Sequence, residues 1–186
     1  TFGIHTVAPN GLVYTVPVEE KHLTEEEKQT ITQQIAQNVT SLADRYPDVD
    51  FYYFFSPYSI AWWNSITNDG NLYRQLEAEQ YIIELILEHP NIHLYSFNNN
   101  TVLTSDLNNY KDTIHYGEWV NSAMLQWMHD GVGLLTKENY QDYLKTERSF
   151  YTGITEEDIQ KINVQPDYAN DKTAEYVIEH MVDSMK

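Results

Sequence analysis

Cysteine is absent from the 186 residues, which excludes disulfide bonds, thiolate zinc sites and cysteine nucleophiles. Basic residues are scarce: 11 Lys and Arg stand against 28 Asp and Glu, for a net charge of −17. A surface this acidic repels phosphate backbones and anionic lipids, so the composition argues against nucleic-acid and peripheral-membrane roles. No run of about 18 apolar residues occurs, and no membrane span is predicted within this chain.

Sequence motifs of several enzyme classes are missing as well. The chain has no Gly-rich phosphate loop, no Gly-x-Ser-x-Gly and no Gly-Asp-Ser block. Ser56 and Ser59 follow a predicted strand, but the proline between them is unlike a strained nucleophile elbow. His89 and His93 are four residues apart, yet Pro90 prevents them from sharing a helical face. We therefore predict no metal site and no cofactor.

Apolar residues are plentiful, at 41% of the chain, with 13% aromatics, and this content predicts a folded core rather than disorder. The length suits one domain over residues 1–186. Within it, residues 1–20 are predicted to form a hairpin-like appendage around Pro9-Asn10-Gly11. Residues 24–143 form the expected core, and residues 150–186 the expected C-terminal helices.

The pattern of apolar residues predicts an α/β fold. Residues 51–55 and 91–97 are apolar runs without alternation, which is typical of parallel strands, and the first is predicted to be a central strand covered on both faces. A capping box at Thr24 opens a helix that ends near residue 47, and further helices are expected after Gly70 and Gly117 and over residues 173–185. Because ligands bind beyond the carboxyl ends of parallel strands, residues 56–59 and 98–100 are expected to meet at one site.

Asp112-x-x-His115 is the strongest candidate for catalytic chemistry. A carboxylate three residues before an imidazole can accept a hydrogen bond from Nδ1–H, which leaves Nε2 outward as a proton acceptor. The carboxylate also stabilises the imidazolium that forms when the histidine takes a proton from a nucleophile. The competing interpretation is a helix-capping aspartate beside a surface histidine.

Side chains near the end of the first strand are candidates for substrate binding. Aromatic rings with adjacent amides suit sugar rings and acyl chains, whereas the competing interpretation packs the two indoles into the core. The candidates are Ser56, Tyr58, Trp62, Trp63, Asn64 and Tyr116.

Three segments together resemble the C-terminal half of an SGNH/GDSL-type hydrolase: residues 51–59, 91–97 and 110–116. The resemblance covers residues 24–143 and is closest to envelope-associated bacterial members that handle acyl groups on teichoic acid and exopolysaccharide. It implies a three-layer α/β/α sandwich with a parallel, flavodoxin-like sheet. It also implies that Asp112 and His115 are the last two members of a catalytic triad.

The resemblance implies a nucleophilic serine and oxyanion donors that this chain does not contain. The expectation is either a family member whose N-terminal part lies upstream or a divergent member without a nucleophile. The implied function is an esterase or acyltransferase on O-acyl groups of cell-envelope glycans, with an acylated glycan or cell-wall polymer as partner. The implied location is outside the cytoplasm, with a membrane anchor in a longer precursor. Two alternatives stay open: a non-catalytic module that binds glycan or protein, and a structural domain in which Asp112 caps the helix after Gly117.

Overall fold

A computed structural model describes residues 1–167 and 172–181. These residues form an α/β fold whose sheet has the strand order β1-β2-β3 (Phe51–Phe55, Ile92–Ser96 and Leu134–Leu135). The α-helices of the described residues are α1 (Ile4–Val7), α2 (Glu25–Ile35), α3 (Ser41–Arg45), α4 (Ile60–Asn68), α5 (Leu72–Ile86), α6 (Thr101–Ser105), α7 (Glu118–His129), α8 (Tyr140–Thr152), α9 (Glu156–Asn163) and α10 (Ala174–His180).

The predicted parallel pairing of the first two strands is confirmed, with Phe51 opposite Ile92 at one end of the pair. The expectation of a wholly parallel sheet is wrong at the third strand, because β3 runs antiparallel to β2. Gly131 and Gly133 adopt positive φ angles between α7 and β3, and they turn the chain back along β2. The Ser96 amide donates to the Gly133 carbonyl at 3.0 Å, which fixes the start of this pairing.

β1 is an edge strand, so its predicted central position is wrong. Tyr52 and Phe54 on one face keep 57% and 41% of their surface exposed, although the run is apolar on both faces. Tyr52 stacks on His93 of β2 with ring centroids 4.7 Å apart. Within the described residues, no strand pairs with the other edge of β1.

Helices pack on both faces of the sheet at β2. Leu94 faces a cluster that includes Ile83 of α5, whereas Tyr95 faces a second cluster with Val120 of α7 and Val177 of α10. Among the helices of the described residues, none combines the length and the apolar character that crossing a membrane requires.

The hairpin predicted for residues 1–20 is wrong. The segment contains the single turn of α1 and then runs without strand pairing to Thr24. Side-chain amides, and not a paired strand, bond the backbone here: Asn64 and Asn68 of α4 donate to the Val13 carbonyl at 2.9 and 2.7 Å. The segment is therefore attached to the core by side chains of other elements, those of α4 among them, rather than by strand pairing of its own.

Most predicted helices are confirmed, with shifted boundaries. The capping box at Thr24 is present, and the helix it opens continues through a π-helical turn at Ala36–Thr40 into α3. Two of the expected C-terminal helices are α9 and α10. The last helix was predicted over residues 173–185, of which residues 182–185 lie outside the described residues.

Candidate functional site

The loop that carries Asp112 and His115 is attached to the carboxyl end of β1. The Tyr110 hydroxyl donates to the Pro57 carbonyl at 2.6 Å. The backbone amide and the hydroxyl of Ser59 both donate to the Thr113 carbonyl, at 3.2 and 2.7 Å. Because Tyr110 and Ser59 are fully buried, these contacts position the loop firmly beyond the strand.

Within the loop, Asp112 shapes the backbone that presents His115. Tyr110 and Tyr116 pair as an antiparallel bridge, and the Lys111 amide donates to the His115 carbonyl at 3.0 Å. Asp112 Oδ1 accepts from the amides of Ile114 and His115 at 3.0 and 2.8 Å, which is an Asx turn. The turn brings the imidazole back onto the carboxylate that forms it.

The predicted contact between Asp112 and His115 is present. His115 Nδ1 lies 2.7 Å from Asp112 Oδ2 and 3.0 Å from Oδ1, so the ring donates through Nδ1 and directs Nε2 away from the carboxylate. Burial raises the pKa of Asp112, but hydrogen bonds from the two loop amides and the imidazole outweigh this and leave that pKa lowered. Asp112 is thus an anion at neutral pH, and the imidazole side chain is 61% exposed.

Four predicted site residues line one surface cavity of about 350 Å³. Its lining residues are Ser56, Tyr58, Lys111, Ile114, His115, Tyr116 and Asn121. Burial raises the pKa of Tyr116, and a hydrogen bond with the Ser56 hydroxyl partly offsets the shift. Lys111 contributes the only lysine or arginine of the lining, and the sequence analysis missed it.

Trp63 and Asn64 do not belong to this cavity, so their assignment to substrate binding is wrong. α4 turns both toward the core, where Trp63 is 1% exposed and stacks on Tyr151 with ring centroids 3.8 Å apart. Asn64 is buried and donates to the Val13 carbonyl. Trp62 does not line the cavity either: it packs against the core cluster that contains Trp63 and edge-on against Tyr58, with ring centroids 4.8 Å apart.

Asp112 does not cap the helix after Gly117, as the structural alternative requires. Gly117 is the N-cap residue of α7, and no side chain accepts a hydrogen bond from the first turn there. The hydrogen bonds of Asp112 stay within its own loop.

The histidines considered as metal ligands lie in separate ion pairs. His89 Nδ1 contacts Asp44 at 2.9 Å, and His93 Nε2 contacts Asp50 at 3.1 Å. Over residues 1–167 and 172–181, no group of three or more histidine, cysteine or acidic side chains could hold a metal ion.

The sequence analysis also missed two buried carboxyl groups, Glu79 of α5 and Glu147 of α8. A signal for the first was available, because Leu72, Leu76, Glu79, Ile83 and Ile86 follow helical spacing and share the buried face of α5. Glu147 lies one turn before the buried Tyr151.

No protein-family model, no curated protein and no solved structure matches this chain. The features that bear on function are therefore the geometry of the loop after β1 and the residues around it.

Proposed function

We propose that this chain is the histidine–aspartate part of a serine-type esterase or acyltransferase that acts on O-acyl groups of cell-envelope glycans. The nucleophilic serine comes from a segment outside these 186 residues. The complete enzyme, on this proposal, is a three-layer α/β/α sandwich whose sheet extends beyond the three strands described above. It works outside the cytoplasm, at the envelope.

The Asp112–His115 contact is the observation that carries the proposal. With Nδ1–H held by the carboxylate, Nε2 is the basic nitrogen, and it makes no hydrogen bond within the described residues. In the proposed reaction Nε2 takes the proton of the serine hydroxyl as the serine oxygen attacks the acyl carbonyl. It then gives that proton to the leaving sugar oxygen, while Asp112 stabilises the imidazolium between the two steps.

The unpaired edge of β1 in the described residues favours the proposal that another segment supplies the nucleophilic serine. β1 and β2 are parallel, and His115 lies beyond the carboxyl end of β1. A further strand added in parallel at the free edge would carry its own following turn to this same end of the sheet. Such a segment would also cover the exposed rings of Tyr52 and Phe54.

The aromatic walls of the cavity support a glycan substrate. Tyr58 and Tyr116 line it, and Trp62 packs against Tyr58. Aromatic faces stack on the apolar faces of sugar rings, and the hydroxyl groups of Ser56 and Tyr116 can exchange hydrogen bonds with a bound sugar or ester.

Hydrolysis of a small aryl acetate tests the proposal, measured with the 186-residue chain and with a polypeptide extended upstream of Thr1. We expect turnover only in the extended polypeptide, because the loss of one triad member costs about 10⁴- to 10⁶-fold in rate. Within it, Asp112→Asn and His115→Ala should each lower kcat by about 10⁴-fold. Equal activity of the two polypeptides would overturn the proposal.

The chain offers a matched control for these variants. His129 and Asp130 form another exposed contact, with Nδ1 and Oδ1 2.9 Å apart, and neither residue lines the cavity. We expect His129→Ala in the extended polypeptide to keep full activity. If His129→Ala lowered kcat as much as His115→Ala, the decrease would not be specific to the cavity around His115.

The second candidate is a non-catalytic glycan-binding module. It is favoured by the lack of any Gly-Asp-Ser block in the chain beside an intact aromatic cavity. It predicts that the 186-residue chain binds polysaccharide with an affinity that falls in Trp62→Ala and is unchanged in His115→Ala.

A further inference from the structure

Two glutamates meet in the interior, between α5 and α8. Glu79 is 1% exposed and Glu147 is 0% exposed, and the Tyr143 hydroxyl lies within 3.5 Å of an oxygen of each carboxyl group. Because both carboxyl groups are buried and close to the same hydroxyl, a negative charge on one opposes ionisation of the other. The pair lies apart from the cavity around His115 and has no part in the proposed reaction.

The groups around the pair donate hydrogen bonds but carry no full charge. Asn98 Nδ2 donates to both oxygens of Glu79, at 3.2 and 3.1 Å. The Tyr143 hydroxyl lies 3.5 Å from Glu79 Oε1 and 3.3 Å from Glu147 Oε1, and 2.5 Å from the hydroxyl of Ser96 on β2. Glu147 Oε2 is buried and has no hydrogen-bond partner among the described residues.

The charged and titratable groups that face the pair are few. On α8, the positive charge of Arg148 acts on Glu147, and the phenols of Tyr143 and Tyr151 face both carboxyl groups. Burial raises the pKa of both phenols well above their usual range, so they stay neutral. Ser96 and Asn98, which face the pair from β2 and the residues after it, do not titrate. Among the described residues, no lysine or arginine forms an ion pair with Glu79 or Glu147.

We propose that Glu79 and Glu147 form a proton-dependent latch, a contact that holds α8 against α5 while at least one carboxyl group is protonated and releases it when both are ionised. Full ionisation would place two negative charges against each other in a buried site where no lysine or arginine of the described residues forms an ion pair with either carboxylate. Separation of the two helices and entry of water relieve that repulsion.

The latch is connected by packing to the cavity around His115. Tyr151 follows Glu147 by one turn of α8, and its hydroxyl donates to the Asn98 carbonyl at 2.9 Å. Its ring stacks on Trp63, which neighbours Trp62, and Trp62 packs against Tyr58 in the cavity wall. Release of α8 would therefore loosen the wall.

The sign of the pH effect follows from the direction of the shifts. Burial raises the pKa of Glu147 to about 7, and burial with the charge of Glu147 raises that of Glu79 well above its ordinary value. A carboxyl with a raised pKa in the folded state contributes its full stabilisation below its unfolded pKa of about 4.3, and this is lost as the pH rises through about 7. The opening equilibrium of α8 should thus rise on the order of a hundredfold between pH 5 and pH 8.

Amide hydrogen exchange of the full chain between pH 5 and pH 8, corrected for the intrinsic exchange rate, tests the latch. We expect the protection of α8 to fall across this range in the wild type and to fall less steeply in Glu147→Gln, which keeps the shape and removes one of the two ionisations. Glu84→Gln is the control, because Glu84 is an exposed residue of α5 whose carboxylate accepts from Gln80 at 2.9 Å. It should match the wild type. Level protection in the wild type, or the same slope in Glu147→Gln, overturns the proposal.

Infrared spectroscopy of the wild type tests the latch even if Glu147→Gln fails to fold. We expect the carbonyl stretch of a protonated carboxylic acid at pH 6, with an intensity that fades as the pH rises. Absence of that band overturns the proposal. Restored α8 protection at pH 8 on addition of CaCl₂ or MgCl₂, with no acid band at pH 6, would overturn it in favour of a cation site.

Discussion

Asp112 orients His115 through hydrogen bonds that span only four residues of the chain. The same Oδ1 atom accepts from two loop amides and contacts the imidazole. The Asp112 carboxylate therefore both forms the Asx turn and selects the His115 tautomer that carries its proton on Nδ1. The position of the loop has a different cause, since the buried Ser59 ties the Thr113 carbonyl to the start of α4. The Asp112–His115 contact is local, whereas its location beyond β1 depends on this distant partner.

Ser59→Ala tests how much this partner contributes. The variant removes the 2.7 Å hydrogen bond from the Ser59 hydroxyl to the Thr113 carbonyl, and we expect a loss of about 1 kcal/mol in the free energy of unfolding. Urea denaturation measures the loss. Ser65→Ala, at an exposed position of α4, is the control and should stay within about 0.5 kcal/mol of the wild type. Equal stability of the two variants would contradict a positioning role for Ser59.

The Asp112–His115 contact could be predicted from the sequence because a carboxylate and an imidazole three residues apart can meet without help from the rest of the fold. Trp63 and Asn64 could not be assigned in this way. Their burial depends on Tyr151 and Val13, which lie 88 and 51 residues away along the chain. Spacing within α4 identifies which residues share a face, but it does not say which face the core will cover.

At the scale of secondary structure, α2 is the element whose sequence signal was clearest. Thr24 and Glu27 exchange hydrogen bonds between side chain and backbone at its start. None of the residues of α2 is fully buried, so the helix depends on this cap and on partial packing against α5. β3 is the opposite case, because a two-residue strand has no periodicity to detect and is defined only by its pairing with β2.

Thr24→Ala should lower the free energy of unfolding by about 1 kcal/mol, because the Glu27 amide loses its side-chain acceptor. Thr24→Ser keeps the hydroxyl and should retain most of that stability. Chemical denaturation followed by circular dichroism measures both variants. If the serine variant is as unstable as the alanine variant, the hydroxyl is not the source of the effect.

At the scale of the whole molecule, one edge of the sheet is exposed at β1. β1 presents an unpaired edge within the described residues, and the rings of Tyr52 and Phe54 are exposed beside it. Free edges of this kind favour association with other strands. The apolar run at residues 51–55 predicted a strand covered on both faces. The described residues cover the face of β1 that carries Phe51, Tyr53 and Phe55 and leave Tyr52 and Phe54 on the other face exposed. An apolar run of this kind indicates that the strand is suited to a sheet covered on both faces. It does not identify the strands or helices that would provide the cover.

Tyr52→Lys should reduce concentration-dependent self-association of the 186-residue chain in sedimentation velocity, because a charge on the edge strand opposes strand addition. The variant also lowers the net negative charge, which by itself would favour association. Tyr46→Lys makes the same change in charge at an exposed site outside the sheet and is the control. If Tyr52→Lys and Tyr46→Lys self-associated to the same extent, the edge of β1 would not be the surface through which the chains associate.

The contacts of Leu12 have a consequence for synthesis. Its amide donates to Asn163 Oδ1 at 2.6 Å and its carbonyl accepts from Asn163 Nδ2 at 2.8 Å, across 151 residues of chain. A ribosome releases the N-terminal residues first, so the segment around Leu12 waits without its partner until Asn163 emerges. Partners that emerge earlier, such as Asn64 and Asn68 of α4, can already bond the Val13 carbonyl, and the closing of the long loop to Asn163 is expected among the last folding events.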